Sequence, residues 1–181
     1  MKSWQQWLIG AGLVVVAWGV AGITPPEDAR EAPFAVAAEV GAPATGRNIE
    51  ITVTELRRAS TVTTSDWSAD GNWLIVDLSA SAVVTDQGAA LRTVEFAIDG
   101  RTFSASERPD SLFKESLNAG IARTGSVAFE LPADLDAGAG VLTFGLFTDS
   151  RLDSVIELSV DLADVAVQQE VALAATDWAD G

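Results

Sequence analysis

An all-β fold class, a seven-stranded or slightly larger antiparallel sandwich behind one N-terminal apolar helix, is predicted by three observations. From residue 48 onward apolar residues recur at every second position, the period of strands with one buried face. Clusters rich in Gly, Asp, Ser and Pro part that alternation into seven short runs. Ahead of it stands WLIGAGLVVVAWGVAGI at 7–23, which carries no charge.

The apolar run comes first in the chain. At about 1.5 Å per residue it covers roughly 25 Å, near the lower limit for a spanning helix. Trp4 and Trp7 suit headgroup depth, and TPPEDARE follows as a helix stop with an acidic flank. Lys2 and the terminal amine precede the run, whereas Glu27, Asp28 and Glu31 follow it. That bias places the N-terminus in the cytoplasm and the rest outside, as a single-pass protein of the cell membrane in contact with the lipid bilayer through 7–23. Small residues (Gly19 with Ala21, Ala35 with Ala37) offer cleavage sites for the alternative, a secreted product. Trp18 and the length of the run favour retention. The expected organisation is an anchor or uncleaved signal at 1–23, a linker at 24–37, a sandwich at 38–163 and an acidic tail at 164–181. The linker reading rests on Pro25-Pro26, which cannot continue a helix, and on its solvating charge.

Ile49, Ile51 and Val53 alternate with polar residues as the first strand. The longest run, Leu74, Val76, Leu78, Ala80, Ala82 and Val84, predicts a central strand. Val94, Phe96 and Ile98 lead into Asp99-Gly100 and then Arg101, Thr102 and Phe103; a two-residue Asp-Gly loop satisfies a type I′ turn, so these form a hairpin. Val127, Phe129 and Leu131 end at Pro132; Leu142, Phe144 and Leu146 follow, then Ile156, Leu158, Val160 and Leu162. SADGN at 68–72, TDQG at 85–88, LNAG at 117–120, PADLDAGAG at 132–140 and TDSRLDS at 148–154 read as turns. Seven short strands at this spacing indicate an immunoglobulin-like sandwich. In the tail, Val165, Val167, Val171 and Leu173 hold one register broken only at Gln169, which favours an added edge strand over a helix or a disordered segment.

These stretches carry a resemblance over about 40–162. EVGAPATGRNIEITVTEL as an opening strand, GNWLIVDLSASAV as the second, IDGRTF as the hairpin and LNAGIARTGSVAFELP as a loop and strand ending in Phe-x-x-Pro resemble one family. It comprises bacterial extracytoplasmic immunoglobulin-like domains of unknown function, grouped with a secreted mycobacterial immunoprotective antigen. The resemblance implies fold and compartment, and no shared catalytic residues.

The chain contains no Cys, His or Tyr and only two lysines, Lys2 and Lys114. Structural zinc through Cys or His, thiolate catalysis, His-based triads and disulfides are thereby excluded, and carboxylates are left as the main proton-transfer groups. A net charge of -15 spread along the chain opposes nucleic-acid binding. No cofactor is expected.

Ser111-Leu112-Phe113-Lys114 matches the S-x-x-K spacing of serine acyl-transferases. Those enzymes need further S-D-N and K-T-G elements, both absent, and no second lysine outside the N-terminal tail can supply the latter. The expectation is instead a short helical turn capped by Asp110 or Ser111, with Leu112, Phe113 and Leu117 closing an open end of the sandwich. Weak calcium candidates are Asp66, Asp70 and Asn72 in one loop, Asp134 and Asp136 in another, and Asp149 and Asp153 in a third, since calcium takes six to eight oxygens from such loops. None has the full calcium-loop spacing, and Asp favours turns without any metal. Interaction candidates are Trp67, Trp73 and Trp178, each an exposed contact or a core residue. The expected function is a non-catalytic binding or accessory module that contacts another envelope or membrane protein. The alternative, a cation-dependent carbohydrate binder or carboxylate-based hydrolase, requires the loop carboxylates to converge.

Overall fold

The computed structural model describes residues 32–179. The N-terminal helix expected at 7–23 and the linker up to residue 31 lie outside the described residues. Among those described, no helix is long and apolar enough to cross a membrane.

Eleven strands follow one another in the described residues: β1 (Phe34–Ala37), β2 (Ala44–Thr45), β3 (Ile49–Thr63), β4 (Ser68–Ala82), β5 (Thr93–Ile98), β6 (Arg101–Ser104), β7 (Arg123–Leu131), β8 (Ala139–Gly145), β9 (Ser154–Asp161), β10 (Val167–Ala172) and β11 (Asp177–Trp178). They build a two-sheet β-sandwich. One sheet runs β1-β9-β8-β5-β6; the other runs β10-β3-β4-β7-β11, with β2 on the flank of β3. The inward residues of both sheets make one core, with Ile51, Leu74, Val76, Phe96, Phe129, Phe144 and Ile156 fully buried.

All seven expected strands are present, as β3 to β9, and β4 is central as expected. The Asp99-Gly100 turn joins β5 and β6 with both residues at positive φ, 51° and 70°, the conformation a type I′ turn requires.

Four departures stand out. The count of seven is too low. Phe34–Ala37, inside the segment read as linker, is β1, and it pairs with β9 in parallel. The purely antiparallel expectation also fails at β10, which runs parallel to β3 from Val167 beside Arg58 to Ala172 beside Thr63. Third, SADGN at 68–72 belongs to β4, and the chain reverses earlier, where Thr64 N–H donates to Trp67 O. Gly71 serves there as a contact residue, since a Cβ on it would lie 2.8 Å from Trp73 Nε1. Fourth, the stretch around Ser111 forms a turn in place of a helical turn: Phe113 N–H donates to Ser111 Oγ, and Lys114 sits at φ 67°. The expected packing role is nevertheless met there, with Leu112 and Leu117 fully buried.

A second, smaller core lies on the outer face of the β10-β3-β4-β7-β11 sheet. Trp73, Ile75 and Ala128 point outward from β4 and β7, yet all three are fully buried. The distal half of the β3–β4 hairpin curls over them, bringing Val62, Ala69 and Trp67 onto Trp73. Irregularities between Val53 and Glu55 and between Ala59 and Thr61 accompany this bend. The tail completes the cover with Val171 and Leu173.

Candidate functional site

The tail positions the site. Beyond β10 it leaves the hairpin, with Leu173 N–H donating to Thr63 O, and crosses to the opposite edge of the same sheet. Ser126 fastens the crossing twice: its N–H donates to Ala174 O, and Ala174 N–H donates to its Oγ. The same hydroxyl donates to Asp77, which also accepts from Arg57. Ser126 is fully buried, so its hydroxyl, accepting from Ala174 and donating to Asp77, makes the Arg57–Asp77–Ser126 chain a polar staple for the tail. The tail ends as β11, Asp177 beside Thr124 and Trp178 beside Arg123.

Between the crossing tail and the 107–115 loop lies a cleft of 560 Å³. Ser65, Asp110, Ser111, Lys114, Arg123 and Thr176 are among its lining residues. Both of its cations are matched at close range: Lys114 Nζ lies 2.6 Å from Glu107, and Arg123 Nη1 lies 2.7 Å from Glu115. Lys114 also lies over the Phe113 ring, 5.3 Å from its centroid.

The three tryptophans separate. Trp73 is core, fully buried, with an indole Nε1 that has no hydrogen-bond partner. Trp67 stands edge-on to it, ring centroids 5.9 Å apart, and is partly exposed. Arg108 covers both, its guanidinium carbon 5.3 Å and 5.9 Å from the two ring centroids, while its Nη1 reaches Glu130 at 2.9 Å. Trp178 is half exposed and takes the Arg123 guanidinium over its ring at 5.1 Å.

The loop carboxylates do not converge; among the described residues no group of three or more acidic side chains is placed to hold a metal ion. Asp66 accepts from Thr64 and Ser65 hydroxyls, and Asp70 from Thr61 Oγ1. Asn72 does meet the 134–136 loop, but around a cation the protein supplies itself. The buried Arg58 guanidinium donates to Asp136 O at 2.6 Å, to Leu135 O at 3.2 Å and to Asn72 Oδ1 at 3.1 Å. Asn72 Nδ2 in turn donates to Pro132 O and Leu135 O. The Asp134 and Asp136 residues remain exposed. Asp149 is pulled down to a pKa of about 2, first by the side-chain hydrogen bonds from Arg151 and then by the Arg151 backbone N–H. Asp153 caps its own loop by accepting from Ser154 N–H.

Sequence reasoning found Ser111, Lys114 and the tryptophans but missed Arg57, Asp77, Ser126 and Arg58. Asp77 and Ser126 sit at outward positions of alternating strands, where a polar residue looks solvated until the tail is known to cross it.

No family model matches the chain, and no curated protein matches it. Among solved structures, the chain is similar to an uncharacterized β-sandwich protein from Clostridium difficile 630, with 12% identity, coverage of 76% of this chain and 99% of that one, and a TM-score of 0.45.

Proposed function

We propose that this protein is a membrane-anchored, extracytoplasmic immunoglobulin-like module of the cell envelope that binds another envelope protein and performs no catalysis. One observation carries the reading: the tail-crossed face presents a 560 Å³ cleft in which both cations, Lys114 and Arg123, are already paired with carboxylates, beside the Trp67–Arg108 stack. Paired charges around a cleft favour recognition over proton transfer, and a cation over an aromatic ring is a frequent element of protein contacts. The uncharged run at 7–23 supports attachment to a membrane. The resemblance of 40–162 to bacterial extracytoplasmic domains supports the compartment.

Photo-crosslinking tests it. A photoreactive residue in place of Ser65, at the rim of the cleft, is expected to give one discrete protein adduct when the full chain is irradiated in its own membranes. The same probe at Ser159, exposed on the outer face of the other sheet, is expected to lose that adduct. No adduct from Ser65, or the same products from both positions, would contradict the proposal.

A further inference from the structure

Large apolar side chains left exposed are not scattered over this sandwich. Nine stand exposed among the described residues, and seven of them gather at one end. Phe34 opens β1, Val83 and Val84 follow β4, and Phe147 and Leu152 lie in the β8–β9 loop. Ile121 precedes β7, and Trp178 sits beside Arg123 at its start. Strand register places all of these at one level: Ile49 beside Ala82, Arg123 beside Ala80, Thr93 beside Gly145, and Phe34 beside Ser154.

Hydrogen bonds fasten the loops of that end to one another. Arg47 N–H donates to Ser154 Oγ and its guanidinium to Leu152 O. Asn48 Oδ1 accepts from Val84 N–H and Thr85 N–H, while its Nδ2 donates to Thr85 O. Val84, 72% exposed, is thus held out by a fixed backbone, and Leu152 is presented from a left-handed φ of 59° that a bulky side chain seldom adopts. A largely apolar hollow of 580 Å³ lies among Arg47, Val84, Phe147 and Leu152.

The two ends differ in charge as well. At the apolar end Arg47, Arg92, Arg123 and Arg151 nearly offset Asp86, Glu115, Asp149, Asp153 and Asp177, whereas the opposite turns carry Asp99, Asp134, Asp136, Asp161 and Asp164 against Arg101 and hold none of the nine exposed apolar side chains. The chain enters the sandwich at the apolar end, through Phe34, whose N–H donates to Asp153 O. Only residues 24–33 separate Phe34 from the uncharged run, a stretch that reaches at most about 35 Å when extended.

From this juxtaposition we infer that the apolar end is a lipid-contacting surface: its loop tips lie in the headgroup and upper acyl region of the bilayer, and the acidic turns face away. The inference rests on the membrane reading above and adds an orientation to it. Aromatic and aliphatic tips flanked by arginines are the side-chain types that partition into the bilayer interface, with the arginines at headgroup level. The acidic opposite end is repelled by anionic headgroups.

The chain has no cysteine, so single labels report cleanly. Full-length Val84→Cys, Phe147→Cys, Asp134→Cys and Leu13→Cys variants, each carrying an environment-sensitive fluorophore, are reconstituted into phosphatidylcholine vesicles containing a doxyl-labelled lipid. Val84 and Phe147 labels are expected to shift to the blue and lose emission to the doxyl quencher; the Asp134 label is expected to do neither. Unshifted, unquenched labels at Val84 and Phe147 would overturn the inference and leave that end free for a protein partner. The Leu13 label decides the anchor separately: quenching there alone upholds attachment while refuting the orientation. Quenching at Val84 and Phe147 without quenching at Leu13 upholds the lipid-contacting end and refutes the anchor.

Discussion

Trp73 and Trp178 are the same residue type in opposite surroundings, one sealed under a folded-over hairpin and the other lying half exposed along a sheet edge. Trp73→Ala is expected to destabilise the fold by about 3–5 kcal/mol, the usual cost of emptying an aromatic site. Trp178→Ala loses mainly a surface contact with Arg123 and is expected to cost about 1 kcal/mol or less. Urea denaturation of both variants measures the contrast, and similar losses would mean that Trp178 is a packing residue. At Asp149 the lowered pKa fixes a sign: a carboxyl whose folded pKa lies below its ordinary 3.8 contributes stability above that value and loses it as the pH falls towards about 2. NMR titration should find its midpoint near 2, and Arg151→Gln should move it up towards the ordinary range. Ser111 is expected to resist acylation because Lys114 is ion-paired to Glu107. A fluorescent β-lactam should therefore leave the protein unlabelled, and stoichiometric labelling lost on Ser111→Ala would contradict the non-catalytic account.

The tail behaves as two elements with different duties. Val171 and Leu173 cover Trp73, whereas β11 pairs with the edge of β7 over only two residues. Ending the chain after Thr176 is expected to cost about 1 kcal/mol, in the range of surface changes. Ending it after Ala166 uncovers the second core, and a loss of several kcal/mol with red-shifted tryptophan emission is expected. Equal midpoints in thermal unfolding would show that the tail does not cover that core. Strands β3 to β9 were legible because alternation and turn residues mark them independently of context. β3 was read short because irregular pairing after Val53 changes which face successive residues occupy, so the period-two signal dissolves although the strand continues to Thr63. β1 and β11 are short edge segments whose pairing comes from distant partners, and local pattern carries little of that. The site was half legible. Ser111, Lys114 and Trp67 declare themselves by type, but the convergence of Arg58 with Asn72 and two loop carbonyls depends on contacts as many as 78 residues apart.

At the scale of the whole molecule, the sandwich is polarised. Exposed apolar residues mark the end where the chain enters, with arginines and carboxylates nearly balanced there; carboxylates dominate the other, and the cleft lies on the flank between the tail and the 107–115 loop. That arrangement is the one the proposed anchored binding module would need. The account depends most on the compartment, which a membrane-impermeant maleimide reads directly. Asp134→Cys puts a lone thiol in an exposed loop of an otherwise cysteine-free chain. In intact protoplasts the thiol is predicted to label as fully as in lysed ones. Labelling that appears only after lysis would place the sandwich in the cytoplasm and contradict the account.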